Sequence, residues 1–110
     1  MSWVRLFTVP VLVSARVGYL GLVFTLKLYV TGETLASRTA IRNLHEICET
    51  YLDEGRYTIE VINVIDHSQL AENEKIVATP TLIRELPHPM QRIIGVLSDR
   101  DRVLLGLDIA

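Results

Sequence analysis

Few side chains in this chain have types and spacings that suit chemistry. They are one cysteine (Cys48), three histidines (His45, His67, His88), a close carboxylate pair (Asp99, Asp101) and a basic set (Lys75, Arg84, Arg92, Arg100, Arg102). Thiol redox catalysis needs a thiolate of lowered pKa at a helix N-terminus, usually with a resolving partner. Cys48 is the sole cysteine, so it forms no internal disulfide and no CxxC redox or zinc motif. It falls late in a predicted helix, on the apolar stripe, and reads as a buried structural thiol. The histidines lie far apart, without HExxH and without Asp or Cys at triad or ligand spacing, so no metal and no cofactor is expected. His45 borders the helix stripe and His88 sits between two prolines, which suits surface or partner contact better than catalysis. Asp99 and Asp101, in a Ser-Asp-Arg-Asp context, read as helix-start acids that favour the helix dipole. No glycine-rich phosphate loop is present. The basic set holds five of the eight Lys+Arg of residues 31–110. Such an edge suits an acidic protein partner, and a solvated mixed-charge surface accounts for it equally well.

The elements that must position these residues follow from periodicity. Residues 23–30 alternate strictly: Phe24, Leu26, Leu28 and Val30 share one face, and Thr25, Lys27 and Tyr29 the other, as in a strand on a core. Gly32 suits the turn that ends it, and Thr34 or Ser37 can cap the next helix. From Ser37 to about Asp53 the period becomes helical, with Ile41, Leu44, Cys48, Tyr51 and Leu52 on one stripe, Ile47 at its edge and Gly55 as the stop. Tyr57 to Ile65 reads as a strand covered on both faces, as in a central parallel strand. Strand, helix, strand makes a right-handed βαβ unit. A short helix over 69–76 follows, with Leu70 and Ile76 inward. The runs 82–86 and 92–97 pair as a hairpin across Pro87-His88-Pro89, and Ser98-Asp99-Arg100-Asp101 resembles a capping box before Val103, Leu104 and Leu107. The resulting order, β-α-β-α-β-β-α with a proline opening the third strand, is thioredoxin-like. The loop 31–37 of that arrangement contains no cysteine.

Length and charge bound the function. One domain fits in 110 residues. With 11 Lys+Arg against 13 Asp+Glu, a net of −2, a strongly basic nucleic-acid binder is excluded. The charge is uneven: residues 1–30 hold 20 apolar residues, three basic ones and no acid, whereas residues 31–110 hold 8 Lys+Arg and all 13 Asp+Glu, a net of −5. Arg16 splits the apolar front into uncharged runs at 6–15 and 17–26, too short for a span of about 20 residues. Pro10 breaks the first run, against a signal peptide. No membrane span is expected, and the chain reads as cytoplasmic.

The last third is locally ambivalent. Three prolines (Pro80, Pro87, Pro89) fall within ten residues. X-Pro bonds can be cis and exchange over tens of seconds. Residues 93–97 suit a strand or a helix, 103–109 suit a helix or an alternating strand, and Gly95 and Gly106 weaken helix in both. Such ambivalence permits two packings of one sequence.

The residues that carry a family resemblance run in order along this body: Leu26-Lys27-Leu28-Tyr29-Val30-Thr31-Gly32, Gln69-Leu70-Ala71-Glu72, Ile76-Val77-Ala78-Thr79-Pro80-Thr81-Leu82, Leu86-Pro87-x-Pro89, Arg92-Ile93-Ile94-Gly95-x-Leu97-Ser98 and Val103-Leu104-x-Gly106-Leu107-Asp108. Over about 23–109 they closely resemble the circadian-clock KaiB family. The resemblance implies a KaiB-like domain over 23–110 and an N-terminal extension, 1–22, of unassigned role. It implies no enzymatic activity. It implies binding to a KaiC-like hexameric ATPase and autokinase, antagonism of KaiA-stimulated phosphorylation, and competition with the thioredoxin-like sensor domains of histidine kinases. It also implies fold switching between a tetrameric β-α-β-β-α-α-β ground state (a dimer of dimers) and a thioredoxin-like β-α-β-α-β-β-α monomer. Lys75, Arg84 and Arg92 match basic partner-binding positions. Pro80, Pro87 and Pro89 match switch prolines, Gly106 and Asp108 match positions whose substitution favours the thioredoxin-like state, and Phe24 stands where the family often has tyrosine. Gln91, Thr39 and Glu60 stand where the family pattern has basic residues, Asn63 stands where it has an aspartate, and His88 interrupts its run of prolines. These departures fit a divergent paralogue with a stress-response or other signalling partner. Because high concentration favours association, the tetrameric order is the one expected in a crystal, with 93–97 largely non-strand and 103–108 as strand.

Overall fold

Strict alternation makes the first strand the centre of the molecule. In the structure, a computed structural model of one chain that describes residues 23–109, β1 (Phe24–Val30) is followed by α1 (Leu35–Tyr51), β2 (Tyr57–Asn63), α2 (Ser68–Asn73), β3 (Thr81–Leu86), β4 (Gln91–Ile94) and α3 (Arg100–Leu107). The four strands form one mixed sheet in the order β2-β1-β3-β4. β1 pairs parallel with β2, Phe24 opposite Tyr57 and Val30 opposite Asn63, and antiparallel with β3, which pairs antiparallel with β4.

The two faces of β1 build two cores. Phe24, Leu26, Leu28 and Val30 join Ile41, Leu44, Ile47 and Cys48 of α1, Leu82 and Ile93 of the sheet, and Val103, Leu104 and Leu107 of α3. Tyr29 points the other way and packs with Ile62, Ile83, Val64 and Ile76. α1 and α3 therefore cover one face, and the α2 segment covers part of the other. Each fully buried leucine here contributes about 1.5–3 kcal/mol of burial free energy, which makes the even positions of β1 the main anchor of the fold. Thr34 is the N-cap of α1: its Oγ1 accepts from the Ser37 backbone N–H at 3.1 Å. The helix ends at Leu52, whose extended backbone leaves the helical path while its N–H donates to the Cys48 carbonyl at 2.9 Å, and Gly55, at φ +89°, lies in the turn that follows.

Several expectations are met in detail and others need correction. The element order is the thioredoxin-like one, so the tetrameric β-α-β-β-α-α-β order expected for an associated crystal form is not the order of this structure. Residues 93–94 lie in β4, and 103–107 are helix with Asp108 as C-cap, instead of strand. The physical reason is local: the Asp99 side chain accepts from the Arg102 backbone N–H at 3.2 Å, starting a helix whose Val103, Leu104 and Leu107 reach the core. Asp99, not Ser98, is the cap. β2 is an edge strand, not a central one, because β3 occupies the other side of β1. Leu70 is 42% exposed and α2 buries none of its residues, so only Ile76 of the expected inward pair packs. Tyr51 is exposed, since the helical stripe turns outward at the last turn of α1. The extension 1–22 lies outside the described residues. Among the described residues, no helix is long and apolar enough to cross a membrane.

Candidate functional site

The loop from β1 to α1 occupies the place where this fold would carry redox chemistry, and hydroxyl and amide groups fill it. Ser37 Oγ donates to the Thr31 carbonyl at 3.1 Å and accepts from the Thr31 N–H at 3.2 Å. The Thr31 and Thr79 hydroxyls bond one another across the loop that leads into β3. Asn63 Oδ1 accepts from the backbone N–H groups of Gly32 and Ile65, each at 3.0 Å. Gly32 has φ of +54°, and a Cβ there would touch Ile65. These bonds tie the loop to α1, to the end of β2 and to the approach to β3, and residues 31–37 contain no thiol.

Cys48 sits elsewhere, fully buried on the inner face of α1. Burial pushes its thiol up to about 12, with the nearby Glu49 charge adding to the rise. A thiolate is therefore scarce at neutral pH, the reverse of what a nucleophile needs. His67 and His88 are exposed. Among the described residues, no group of three His, Cys, Asp or Glu side chains could hold a metal ion.

The basic set divides three ways. Lys75 and Arg92 come together: Arg92, exposed on β4, donates from Nη2 to the Glu74 carbonyl at 2.9 Å and from Nη1 to the Lys75 carbonyl at 3.3 Å. This joins the end of the α2 segment to the sheet and brings the exposed Arg92 guanidinium against the backbone of the exposed Lys75. Lys75 holds φ of +56°, the left-handed region that side-chain-bearing residues seldom occupy. Arg100 and Arg102 stand at the start of α3, with the Arg100 guanidinium 5.9 Å from the centre of the Tyr51 ring. Arg84 does not belong to this surface. It is 1% exposed, and its guanidinium donates to the carbonyls of Leu107 (2.7 Å) and Pro89. In this structure it offers a partner almost no surface, because its register opposite Leu26 turns it to the core face of β3.

The positions matched to a fold switch lie at two places. Phe24 is buried at the start of β1, in register with Tyr57. Pro80 precedes β3, Pro87 and Pro89 form the β3–β4 turn, and the peptide bonds before all three are cis. Gly106 is packed against Ile93 of β4, and Asp108 caps α3 in a left-handed conformation, φ +62°. Five of the six positions, all but Phe24, therefore border the hairpin or α3.

Sequence reasoning missed an open cleft of about 600 Å³ lined by Thr31, Val64, Glu72, Ile76, Val77 and Thr79. It lies beyond the carboxyl ends of β1 and β2, where open α/β sheets receive ligands. Val77 is 86% exposed at its rim. An apolar Val77 just ahead of the proline that opens β3 was the available signal.

Together, the sheet order, the thiol-free loop and the buried cysteine define a thioredoxin-like domain that lacks the redox centre of that fold. Within that class the comparisons are specific. A family model described as KaiB domain matches residues 27–109, and the chain belongs to the KaiB family. It is 51% identical over 84 residues to circadian clock protein KaiB3 of Synechocystis sp., covering 76% of this chain and 81% of that one. It is 54% identical over 86 residues to circadian clock oscillator protein KaiB of Prochlorococcus marinus (strain MIT 9211), covering 78% and 75%. Among solved structures, the N-terminal domain of Synechococcus elongatus SasA matches with a TM-score of 0.66 at 26% identity, over 79% of this chain and 85% of that one. Mitochondrial thioredoxin 3 of Saccharomyces cerevisiae matches with a TM-score of 0.63 at 12% identity, over 79% and 78%, a likeness of fold alone.

Proposed function

We propose that this chain is a non-enzymatic clock-type regulator that binds a KaiC-like hexameric ATPase and autokinase and opposes KaiA-stimulated phosphorylation. The observation that carries this reading is the KaiB domain match over residues 27–109, on a fold whose redox loop contains no thiol. Lys75 and Arg92 supply a basic contact for an acidic patch of the partner. Arg84 acts from the interior. The likeness to the SasA N-terminal domain supports competition for one site with a sensor histidine kinase.

Phe24, Pro80, Pro87, Pro89, Gly106 and Asp108 belong to a switch between this thioredoxin-like order and a homotetrameric β-α-β-β-α-α-β ground state. A partner that selects the less populated order binds with an affinity reduced by that population. Two observations support a weakly committed C-terminal half: α3 has eight residues with a glycine inside it, and Leu97 and Asp108 both hold left-handed backbone. The test is incubation of the chain with an ADP-loaded KaiC ring, followed by size exclusion over a day. Slow growth of a complex is expected, and absence of any complex overturns the reading.

A second reading, a divergent paralogue with a stress-response or other signalling partner, is favoured by Glu60, Thr39 and Gln91, where the family pattern has basic residues. Pulldown against each KaiC-like protein of the source organism separates the two. Recovery of the clock ATPase supports the first, and selective recovery of another ring supports the second.

A further inference from the structure

Arg84 is a charged side chain in the interior, and its acceptors identify what it does. No carboxylate is among its hydrogen-bond partners: Nη1 donates to the carbonyl of Leu107, Nη2 to that of Pro89, and Nε has no hydrogen-bond partner. A buried cation without a counterion depends on oriented dipoles. Leu107 is the last residue of α3, so its carbonyl is at the negative end of that helix. Pro89 lies in the turn between β3 and β4. The guanidinium fork thus holds two segments at once, in a geometry that a flexible ammonium does not reproduce.

Those two segments are weakly held by their own sequences. An isolated helix of eight residues is unstable in water, and Gly106 lowers its propensity further. β4 has four residues and, among the described residues, pairs only with β3. By contrast, β1 pairs along its whole length with β2 and along most of it with β3, without any Arg84 side-chain bond. The hairpin and α3 therefore have the properties of a unit that opens separately from the three-stranded remainder.

We propose that Arg84 is a buried latch: one guanidinium on β3 clamps the β3–β4 turn to the C-terminal end of α3, and its release frees residues 87–108 from the sheet as a unit. This goes beyond the clock reading and is tested on the isolated chain, so absence of a KaiC complex leaves it standing. The measurement is native-state amide hydrogen exchange by NMR on the monomeric fraction whose backbone shifts report strand over 91–94 and helix over 100–107. Arg84→Met keeps the apolar stem and removes both bonds. Charged hydrogen bonds of this kind correspond to a loss of protection of about tenfold or more. That loss is expected at the amides of 91–94 and 103–107, with Leu26, Leu28 and Ile59 unchanged. An equal loss at all of these amides, or none, overturns the latch. Arg84→Lys is expected to restore only part of the protection, and full restoration shows that charge alone suffices and overturns the clamp. Should the Met variant not fold, the wild-type chain decides. Resolved, slowly exchanging Nη protons of Arg84 support the latch, and averaged signals like those of Arg38 or Arg42 overturn it.

Discussion

Gly106→Ala puts a methyl group where the structure has the least room for one. A Cβ at that position lies 2.5 Å from Cδ1 and 2.9 Å from Cγ1 of Ile93. Two effects oppose each other. Alanine favours a helix interior over glycine by about 1 kcal/mol, whereas overpacking a filled site costs about 1–3 kcal/mol. Cδ1 is the free end of the side chain and can swing away. Cγ1 moves only if the whole side chain turns, and Ile93 is buried between β4 and α3. The cost therefore matches or exceeds the gain, and the expected net change in this fold is about 0–2 kcal/mol of destabilisation. Ile93→Val removes Cδ1 and alone costs about 1 kcal/mol. With that atom gone, the Gly106→Ala methyl is better tolerated, so the double variant is expected to be more stable than the sum of the two single changes by about 1 kcal/mol. Urea unfolding of the four proteins measures this coupling. Additivity within about 0.3 kcal/mol refutes the reasoning, because residues without a shared contact behave that way. The result also bears on the switch. The family resemblance implies that substitution at Gly106 favours the thioredoxin-like order, while the contact with Ile93 opposes stabilisation of that order. Both hold only if alanine costs the alternative order more, seen as a shift toward monomer on size exclusion together with a monomer that unfolds at lower urea.

Three further outcomes follow from the same contacts. Thr34→Ala removes the acceptor for the Ser37 N–H and is expected to lower stability by about 1 kcal/mol, with Thr34→Ser close to wild type, both read by denaturant unfolding. The Cys48 thiol is raised from 9.0 to about 12 in the fold, so the unfolded chain releases this proton first, and the stability contributed is full below pH 9.0 and lost as pH rises toward 12. Cys48→Ala is expected to flatten that part of the alkaline decline, and native Cys48 to react with a thiol reagent only as the chain opens. Asp108 caps α3 at φ +62°, so Asp108→Gly is expected to stabilise this fold by about 0.5–1 kcal/mol, seen as a higher urea midpoint.

The fold was legible wherever one residue's neighbours in sequence decided its face. Phe24, Leu26, Leu28 and Val30 alternate, and all four are buried in one cluster. Ile41, Leu44 and Cys48 recur at helical spacing, and they pack where that spacing puts them. Thr34 was available as a cap because its side chain reaches the Ser37 N–H three residues on, whereas the capping box pointed one residue early, to Ser98 instead of Asp99. The basic site was only partly legible. Lys75 and Arg92 are 17 residues apart, and only the α2 turn and the β4 pairing bring them together. Arg84 looked the same as they did in sequence, since charge alone does not disclose burial.

The chain's own residues determined the elements, the absence of a thiol from the loop before α1, the inert character of the one cysteine, and membership of a family whose motifs run through most of its length. Those are properties of local spacing and residue type. Tertiary structure decided that β2 stands at the edge, that Arg84 faces inward, and that the ambivalent last third takes the form of a hairpin and a helix. Periodicity ranks the faces of a segment but does not name its neighbour. For residues 91–108 local preferences nearly balance, so burial of Ile93, Val103, Leu104 and Leu107 and the two carbonyl bonds from Arg84 select the outcome.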